Sequence, residues 1–555
     1  MRAGPLTLLS LLFACGEGGG VPAPTIETHV EDWRDEVIYQ VVVDRFENGD
    51  PSNDVLDGIG PDPGDLVRHQ GGDWEGLRQR LGYIEALGAT AIWISPIVAN
   101  VDRTPREDGY HGYWASDFTR LNPRFGDLDD LRRLVRDAHA RDLLVIVDVV
   151  TNHTGRVFAY DLDADGEVDP GELEPPYRAE GYDAPLLWTH RPRLFAPGGG
   201  SFQLEAEHFH RRGFGDVGVR EEKFFGDFPT GLRDLATGRE DVLEALVETY
   251  VRWVRETDVD GFRIDAVPHV EDGFWPAFGR RLRSRLAALG KRRFLLLGEV
   301  FTTDSVRLAQ LTGETHALDA AFDFPFKFGV VDGMILDGDP PAEVVPVLEG
   351  NRELFRPFEQ PGGIGLSPWE ARVLIADNHD TWRLRGELDR FDSAALALLM
   401  VVTVDGIPAI YYGTEQELTG QGGGGSRERM WDTGFRTDTE THRWLRRLLR
   451  LRREHAALRQ GALRVRYAAE TNRESEAPDA GLLAYERDFE GDRVLVVLNA
   501  NALRAATARV PSGFPVGVEL RDELHDQEAR WAVGAGGAVE VELGPREAVM
   551  LVPAP

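Results

Sequence analysis

Eight short apolar runs, separated by polar or amphipathic sequence, constrain the fold of this chain more than any other feature. They begin at Val37, Ala91, Leu143, Gly261, Phe294, Leu318, Arg372 and Ile407. Runs that are apolar throughout are typical of strands buried on both faces, as in a parallel sheet. Between them lie helical patterns, such as the face shared by Leu243, Leu246, Val247, Tyr250 and Val254. Alternating strands and helices of this number predict an α/β fold, the (β/α)8 barrel.

The spacing of the runs predicts two additions to the barrel. About 110 residues separate the third run from the fourth, and they are rich in Gly, Pro and charge. We therefore expect a subdomain inserted after strand 3. Beyond about residue 460, alternating apolar residues and turns predict a C-terminal antiparallel β-sandwich domain. The predicted divisions are a leader and tether (1–35), the barrel in two parts (36–150 and 233–458), the insertion (151–232) and the C-terminal domain (459–555).

The first residues predict export from the cell. Arg2 precedes the apolar run PLTLLSLLFA, which ends just before Cys15, the only cysteine of the chain. The run is too short to span a bilayer, and LFAC resembles a bacterial lipoprotein processing site. We expect a lipid on Cys15 and a location at the cell envelope; secretion without a lipid and a chance apolar start are the alternatives. A single cysteine excludes an internal disulfide.

The chain is strongly acidic, with 62 basic and 94 acidic residues and a net charge of −32. This charge argues against nucleic acid or an anionic membrane face as a partner, because both would repel the chain. It suits a neutral substrate and bound cations, and an acidity that serves solubility alone is an equal alternative. We expect a monomer.

Three carboxylates follow predicted barrel strands, whose C-terminal ends meet at one mouth: Asp265, Glu299 and Asp380. Arg263 lies two residues before Asp265 and faces the same side of its strand, so we expect it to lower the pKa of Asp265. The apolar run before Glu299 predicts burial and a raised pKa. One ionised and one protonated carboxyl are what glycoside hydrolysis needs. For each carboxylate, a salt bridge at the barrel rim is the alternative.

In this order, the segments around these residues resemble the conserved regions of the α-amylase family of glycoside hydrolases and transglycosidases. The matching segments are YHGYWASDF, DVVTNH, GLRDL, GFRIDAVPH, GEV and DNHD. The resemblance covers residues 36–555 and implies a retaining mechanism, with the two working carboxyls about 5–5.5 Å apart.

The resemblance also implies a role for each site residue. Asp265 would be the nucleophile, Glu299 the general acid and then base, and Asp380 the residue that stabilises the transition state. Further residues would bind or orient the sugar: Arg263, Tyr113, His153 and His379, and also His111 and Trp114, for which packing at the mouth is an equal alternative.

Pro268 departs from the family pattern, because many α-amylases carry a lysine there that touches sugars on the leaving-group side. Proline offers neither a side-chain donor nor a backbone N–H. The product pattern is therefore open, and a proline here also resembles trehalose-forming relatives.

Calcium, between one and three ions, is the expected cofactor. The resemblance implies one ion between the barrel and the insertion, held by Asn152, Asp234 and the carbonyl of His269. It implies a second ion after the first strand, where a plain turn is the alternative, held by Asn48, Asp50, Asn53, Asp54, the Gly71 carbonyl and Asp73. The stretch DLDADGEVDPGE fits a twelve-residue calcium loop, in which the ligands would be Asp161, Asp163, Asp165, Glu167, Asp169 and Glu172. A solvated acidic loop is the alternative there.

The leading functional hypothesis is a retaining glycoside hydrolase that cleaves α-1,4-glucosidic bonds in starch-type or glycogen-type glucans, as an endo-acting α-amylase. A transglycosidase or trehalose-forming enzyme of the same family is the alternative. A non-catalytic sugar-binding lipoprotein is a remote one.

Overall fold

The computed structural model describes residues 20–313, 318–355, 359–473, 475–525 and 529–555. Cys15 and the predicted export segment lie outside the described residues, so export and lipidation stay predictions. Within the described ranges, no helix has both the length and the apolar character needed to cross a membrane.

Each of the eight predicted apolar runs contains a strand of one parallel sheet. The strands are β1 (Ile38–Val41), β2 (Ala91–Ile94), β3 (Leu144–Val149), β4 (Gly261–Ile264), β5 (Leu295–Gly298), β6 (Ala320–Ala321), β7 (Val373–Ile375) and β8 (Ile407–Tyr411). Strands adjacent in the chain pair in parallel, β8 pairs with β1, and a bridge between Phe322 and Val373 joins β6 to β7. The ring is therefore closed, and the prediction of a (β/α)8 barrel is confirmed.

The strands are mostly apolar because both of their faces are buried. Ile38 of β1 and Trp93 of β2 belong to the cluster of residues inside the barrel. Their neighbours in the same strands, Tyr39 and Ile92, pack outward against the helices. Burying one such side chain contributes about 1.5–3 kcal/mol, so this pattern stabilises the ring from both sides.

Helices cover the outside of the barrel. The longer ones are Trp74–Gln79, Leu81–Leu87, Leu128–His139, Glu240–Thr257, Phe274–Ala288, Ser305–Gln310, Phe391–Thr403, Glu440–Glu454 and Ala456–Gln460. Shorter helical turns are Val43–Phe46, Phe324–Phe326, Pro341–Val345 and Leu384–Glu387, and Lys327–Asp337 and Pro346–Gly350 are π-helical. The apolar face predicted around Leu243 lies in Glu240–Thr257 and is buried.

The insertion after β3 is built from short hairpins and two short helices. Phe158–Tyr160 pairs with Leu186–Trp188, and Arg193–Phe195 pairs with Ser201–Gln203. The helices are Pro170–Leu173 and Arg220–Phe225. Nearby, Val98–Asn100 pairs with Ala115–Leu121, and His153–Thr154 pairs with Arg233–Asp234.

One buried arginine ties this insertion together. The Arg233 guanidinium donates to the carbonyls of Phe158 and Leu173 at 2.7 and 2.9 Å and to the Asp227 carboxylate at 2.5 Å. Tyr160 also donates to Asp227, at 2.9 Å. Arg233 and Asp227 are buried, so each charge depends on the other for compensation.

The C-terminal part is antiparallel, as predicted. Six strands form one sheet in the order Ala462–Ala468, Leu482–Phe489, Asp492–Asn499, Ala548–Pro553, Glu519–Asp522 and Arg530–Ala532. Ala506–Pro511 and Ala538–Leu543 form a second sheet, and side chains of both sheets share one core. The predicted domain boundaries stay predictions.

Arg233→Met is expected to lower the free energy of unfolding by about 3–5 kcal/mol, because it leaves the Asp227 charge buried without a compensating cation. The matched control is Arg191→Met, which breaks a salt bridge to Glu205 in which the two side chains are 51% and 45% exposed. The control should cost less than about 1 kcal/mol. Urea unfolding followed by fluorescence measures both, and equal losses would contradict this role of Arg233.

Candidate active site

Arg263, near the end of β4, is the centre of the site. Its Nη1 lies 3.0 Å from Asp148 Oδ1 and 2.9 Å from Asp265 Oδ1, and its Nη2 lies 2.8 Å from Glu299 Oε1. Asp148 is the second-last residue of β3, and Glu299 follows β5 directly. Three neighbouring strands of the barrel therefore bring three carboxyl groups to one buried guanidinium.

This arrangement has one cation for three acids, so ionising all of them would leave two uncompensated charges. Asp148 has the most donors, because Tyr113 and Trp93 also donate to it at 2.7 and 3.2 Å. Glu299 receives only one other hydrogen bond among the described residues, from the Ala266 N–H at 3.2 Å. Burial raises the pKa of Glu299 to about 8, against the opposing effect of Arg263. The pKa of Glu299 is thus raised, as predicted.

The predicted pKa of Asp265 was wrong in direction. Arg263 faces Asp265 as expected and does act to lower its pKa, but burial has the larger effect, and the pKa of Asp265 is raised overall. Burial also raises the pKa of Asp148, to about 7, against Arg263. The sequence shows the guanidinium but not the desolvation, which comes from strands distant in the chain.

Asp380 lies in a different electrostatic setting. Its Oδ2 is 3.0 Å from His379 Nε2, and its Oδ1 is 3.1 Å from Arg427 Nη2. Burial acts to raise the pKa of Asp380, but His379 and Arg427 together lower it below its ordinary value. Asp380 is therefore ionised, and a partner of its own separates it from the cluster around Arg263.

His379 connects the two groups of carboxyls. Gln40 Nε2 lies 2.6 Å from its Nδ1, and the Tyr113 hydroxyl lies 2.9 Å from its Nε2. Burial lowers the pKa of His379 to about 3, so the ring is neutral. The Tyr113 ring stacks on it at a centroid distance of 5.5 Å. Tyr113 and His379 thus hold each other at the mouth of the barrel.

A cleft of about 680 Å³ opens onto these groups. Asp265, Glu299, Asp380, Tyr113 and His153 all line it. The structure therefore brings the three predicted catalytic residues and two of the predicted sugar-binding residues to one cavity.

His153 has a buried Nε2 with no hydrogen-bond partner among the described residues. Burial lowers the pKa of this histidine to about 4, so its ring is neutral. The ring stacks on Phe228 at 4.9 Å, and Phe228 also meets His269 edge to face at 4.8 Å. The free nitrogen suits a sugar hydroxyl in the cleft.

His111 and Trp114 lie behind this wall. His111 is buried, its Nδ1 accepts from the Tyr113 N–H at 3.0 Å, and its ring packs on Tyr113 and on Trp114. Trp114 lines a separate cavity beside the insertion. Direct sugar contact by these two residues stays a prediction, and their observed contacts support the position of Tyr113.

Several residues at the site were not predicted. Asp148 lay within a quoted segment but was assigned no role, and Gln40 and Phe228 have no local sequence signal. Arg427 lies two residues after a run of four glycines, 422–425, and the structure forms a turn there, Gly423–Ser426, that leads into Arg427.

Comparison with known proteins agrees with this geometry. The family model for the α-amylase catalytic domain matches residues 40–447. The chain belongs to the α-amylase family. The resemblance inferred from the sequence is therefore confirmed.

Individual relatives include both hydrolases and transferases. The α-amylase of Streptomyces lividans is 30% identical over 89% of this chain, which spans 57% of that relative. An α-amylase structure from Anoxybacillus has 29% identity and a TM-score of 0.72, and the match covers 95% of this chain and 99% of that one. A cyclomaltodextrin glucanotransferase with a three-domain ABC distribution has 27% identity and a TM-score of 0.74, covering 94% and 99%.

The three predicted calcium groups of this α-amylase family member differ in how well they fit an ion. In the group after β1, Asn48 Oδ1 and Asn53 Oδ1 are buried without a hydrogen-bond partner among the described residues. Asn48 Nδ2 donates to Asp54 at 2.8 Å, and Gly71 lies against both side chains. Unpartnered amide oxygens beside a carboxylate are what calcium accepts, so this group fits.

Two further members of that group are held by backbone N–H groups. Asp73 accepts from the N–H groups of Asp50 and Gly76, at 2.8 and 2.6 Å, and Asp50 accepts from Ser52 at 3.0 Å. These bonds fix the loop around Asn48 and leave oxygen lone pairs for a cation.

The acidic loop fits in part. Ligand oxygens of Asp161, Asp163 and Asp165 all lie within 4.8 Å of one another. The two Glu172 oxygens accept instead from the N–H groups of Leu162 and Asp169, at 2.5 and 3.0 Å. The three aspartates are thus candidate ligands.

The remaining members of the loop have local roles in this structure. The Glu167 N–H donates to Asp165 Oδ1 at 2.7 Å, and Asp169 precedes the helix Pro170–Leu173. Their predicted role as ligands, like that of Glu172, stays a prediction.

The group between barrel and insertion fits less well. Pairing of His153–Thr154 with Arg233–Asp234 brings Asn152 beside Asp234. However, His210 Nδ1 lies 2.5 Å from Asp234, and its Nε2 lies 3.1 Å from Glu271. Burial lowers the pKa of His210, but these two acids raise it more, to about 9. His210 already occupies the Asp234 carboxyl, and no described contact joins the His269 carbonyl to this pair.

Asp163→Asn combined with Asp165→Asn is expected to remove about one bound calcium per chain and to lower the melting temperature in calcium buffer. Binding at 100 times the dissociation constant contributes about 2.7 kcal/mol. Elemental analysis and thermal unfolding, each with and without a chelator, measure the effect. Glu440→Gln combined with Glu454→Gln is the charge-matched control, and an unchanged metal content in the loop variant would exclude this site.

Proposed function

We propose that this protein is a retaining glycoside hydrolase that cleaves α-1,4 bonds within starch-type or glycogen-type glucans. One observation carries the proposal: the Glu299 and Asp265 carboxyls share a single arginine at the wall of an open cleft, where burial raises the pKa of Glu299 to about 8. A pair with unlike protonation is what a double displacement at a glycosidic carbon requires.

In the first step, Asp265 attacks the anomeric carbon while Glu299 donates its proton to the departing glycosidic oxygen. The C1–O bond to the leaving sugar breaks, and an ester bond to Asp265 forms. In the second step, Glu299, now ionised, takes a proton from water, whose oxygen attacks the same carbon and releases Asp265. Two inversions at that carbon return the starting α configuration.

The other residues act on the sugar or on the carboxyls. Asp380, ionised beside Arg427, faces the cleft and suits the positive charge that develops on the ring. Tyr113 offers a flat aromatic face to a pyranose, and neutral His153 offers an unpartnered nitrogen. These contacts suit a neutral, polyhydroxylated substrate.

Calcium, when bound, would supply structural stability and no step of this reaction. Asn48, Asn53, Asp54, Asp161, Asp163 and Asp165 are the side chains best suited to hold it. Export and a lipid on Cys15 belong to the same proposal and rest on the sequence alone.

A transglycosidase is the second candidate. Pro268 lines the cleft and offers no donor to an acceptor sugar. The length of the chain does not argue against transfer, because the three-domain glucanotransferase above is matched over 99% of its length. In a hydrolase, water attacks the Asp265 ester more often than a second sugar does. In a transglycosidase, the second sugar attacks more often.

Incubation with soluble starch is expected to yield short maltooligosaccharides, and incubation with maltose is expected to yield no trehalose. Chromatography of the products over time, in calcium buffer, tests both expectations. Cyclic or lengthened glucans from starch, or trehalose from maltose, would favour the transferase. No turnover of any α-glucan would exclude both and leave a sugar-binding protein.

Activity is expected to fall about tenfold per pH unit above pH 8. Burial raises the pKa of Glu299 to about 8, so the proton donor is present below this pH and is lost as the pH rises through it. The pH profile of kcat/KM measures this. An alkaline limb that begins near pH 5 would contradict the assignment.

Glu299→Gln should reduce turnover of starch by at least a factor of about 100 and leave the fold intact. The folded pKa of Glu299 is above its ordinary value, so the wild-type chain loses stability as the pH rises from about 4.5 towards 8. The variant lacks this loss, and its advantage in melting temperature should grow over that range. Arg191→Met serves as an active control.

A further inference from the structure

The chain contains only three lysines, and they occupy two kinds of site. Lys291 and Lys327 are buried, and each lies within 2.8 Å of two acidic side chains. Lys223 is half-buried in the wall of the active-site cleft. Of the three, it is the one without a salt bridge to any residue that the structure describes.

A second cation lines the same cleft without a salt bridge inside the described ranges. Arg307 belongs to the helix Ser305–Gln310, whereas Lys223 belongs to the helix Arg220–Phe225 of the insertion. Burial lowers the pKa of Lys223, and the charges of Arg307 and Arg220 lower it further. Arg220 is compensated by Asp272 at 2.5 Å. Lys223 and Arg307 therefore bring two cations to one cleft from two different helices.

Leaving two such cations together is costly unless an anion joins them. The cost is notable in a chain with 94 acidic residues, where acidic partners are abundant elsewhere. Three carboxyls, those of Asp265, Glu299 and Asp380, also line the cleft. Among the described residues none of them forms a salt bridge with Lys223 or Arg307, so these two side chains present uncompensated positive charge to the contents of the cleft.

The role of Glu299 indicates which sugar of the substrate lies near the two cations. In the proposed reaction Glu299 protonates the leaving oxygen, so the leaving sugar lies on the Glu299 side of the cleft, away from Asp380 and Arg427. Phe301, which is 57% exposed, and Arg307 follow Glu299 in the chain and line the same cavity. We therefore place Arg307, and with it Lys223 of the same cavity, beside the sugar that leaves or, in transfer, the sugar that accepts.

We propose that Lys223 and Arg307 form a subsite for a phosphate ester on the leaving-group or acceptor sugar, so that phosphorylated α-glucans are preferred substrates. This rests on the function proposed above. A phosphate monoester carries about two negative charges at pH 7, which matches two cations. The planar fork of Arg307 and the point charge of Lys223 are both common phosphate ligands.

The test compares amylopectin that has been chemically phosphorylated with the same amylopectin after mock treatment. At low ionic strength, kcat/KM should be about tenfold higher for the phosphorylated glucan. The preference should shrink as salt is added, because the charges are partly exposed. A ratio of one or less would overturn the proposal.

Lys223→Met and Arg307→Gln should each bring the ratio towards one, and the double variant should abolish the preference. Arg220→Gln is the matched control, because it removes an arginine from the same helix whose side chain is 75% exposed and already paired. The control should keep the wild-type ratio. An unchanged ratio in both Lys223→Met and Arg307→Gln would overturn the subsite.

Inhibition of the wild-type enzyme gives a readout that needs no variant. Glucose 6-phosphate should inhibit starch hydrolysis at about tenfold lower concentration than glucose. Equal inhibition would mean that the cations bind ordinary hydroxyls and would overturn the proposal. If glucuronate inhibits as strongly as glucose 6-phosphate, the subsite binds carboxylates equally well, and the proposal of a phosphate subsite is overturned.

The outcomes also separate this inference from the function on which it rests. Turnover of plain amylopectin without any preference for the phosphorylated form overturns the subsite alone. Absence of turnover on either glucan overturns the proposed function and, with it, the subsite.

Discussion

The chemistry of this protein depends on one buried guanidinium that three carboxyl groups share. Arg263 holds Asp148, Asp265 and Glu299 within 3.0 Å of its nitrogens. One cation cannot compensate three buried anions, so at least one carboxyl keeps its proton. Burial raises the pKa of all three carboxyls, and it raises that of Glu299 to about 8. The acid of the proposed reaction is therefore a consequence of burial beside a shared cation.

The barrel makes this cluster possible, because neighbouring parallel strands end side by side. Both faces of each barrel strand are buried, one inside the barrel and one against the helices. Runs such as that of β3 are therefore almost continuously apolar, and this made all eight runs recognisable in the sequence. Residues at the ends of those runs, including Asp265 and Glu299, could be predicted as a group. The raised pKa of Glu299 was also predictable from the apolar run before it.

The features that sequence did not reveal depend on contacts between distant segments. The raised pKa of Asp265 arises from burial by other strands, and the sequence showed only the adjacent arginine. His210 reaches Asp234 across 24 residues, and Arg427 reaches Asp380 across 47. The fit of the calcium groups likewise depends on whether an oxygen such as Asn48 Oδ1 finds a donor in the folded chain. None of these is a property of a local pattern.

The most direct test of the Arg263 cluster is to trap its ester intermediate. An α-maltosyl fluoride needs little acid assistance, so Glu299→Gln should still react with it but hydrolyse the ester slowly, because water then lacks a base. Mass spectrometry of peptides after rapid acid quench should show one maltosyl group on Asp265. A maltosyl group on another carboxylate, or consumption of the fluoride with β-maltose as the first product, would contradict the proposed division of roles.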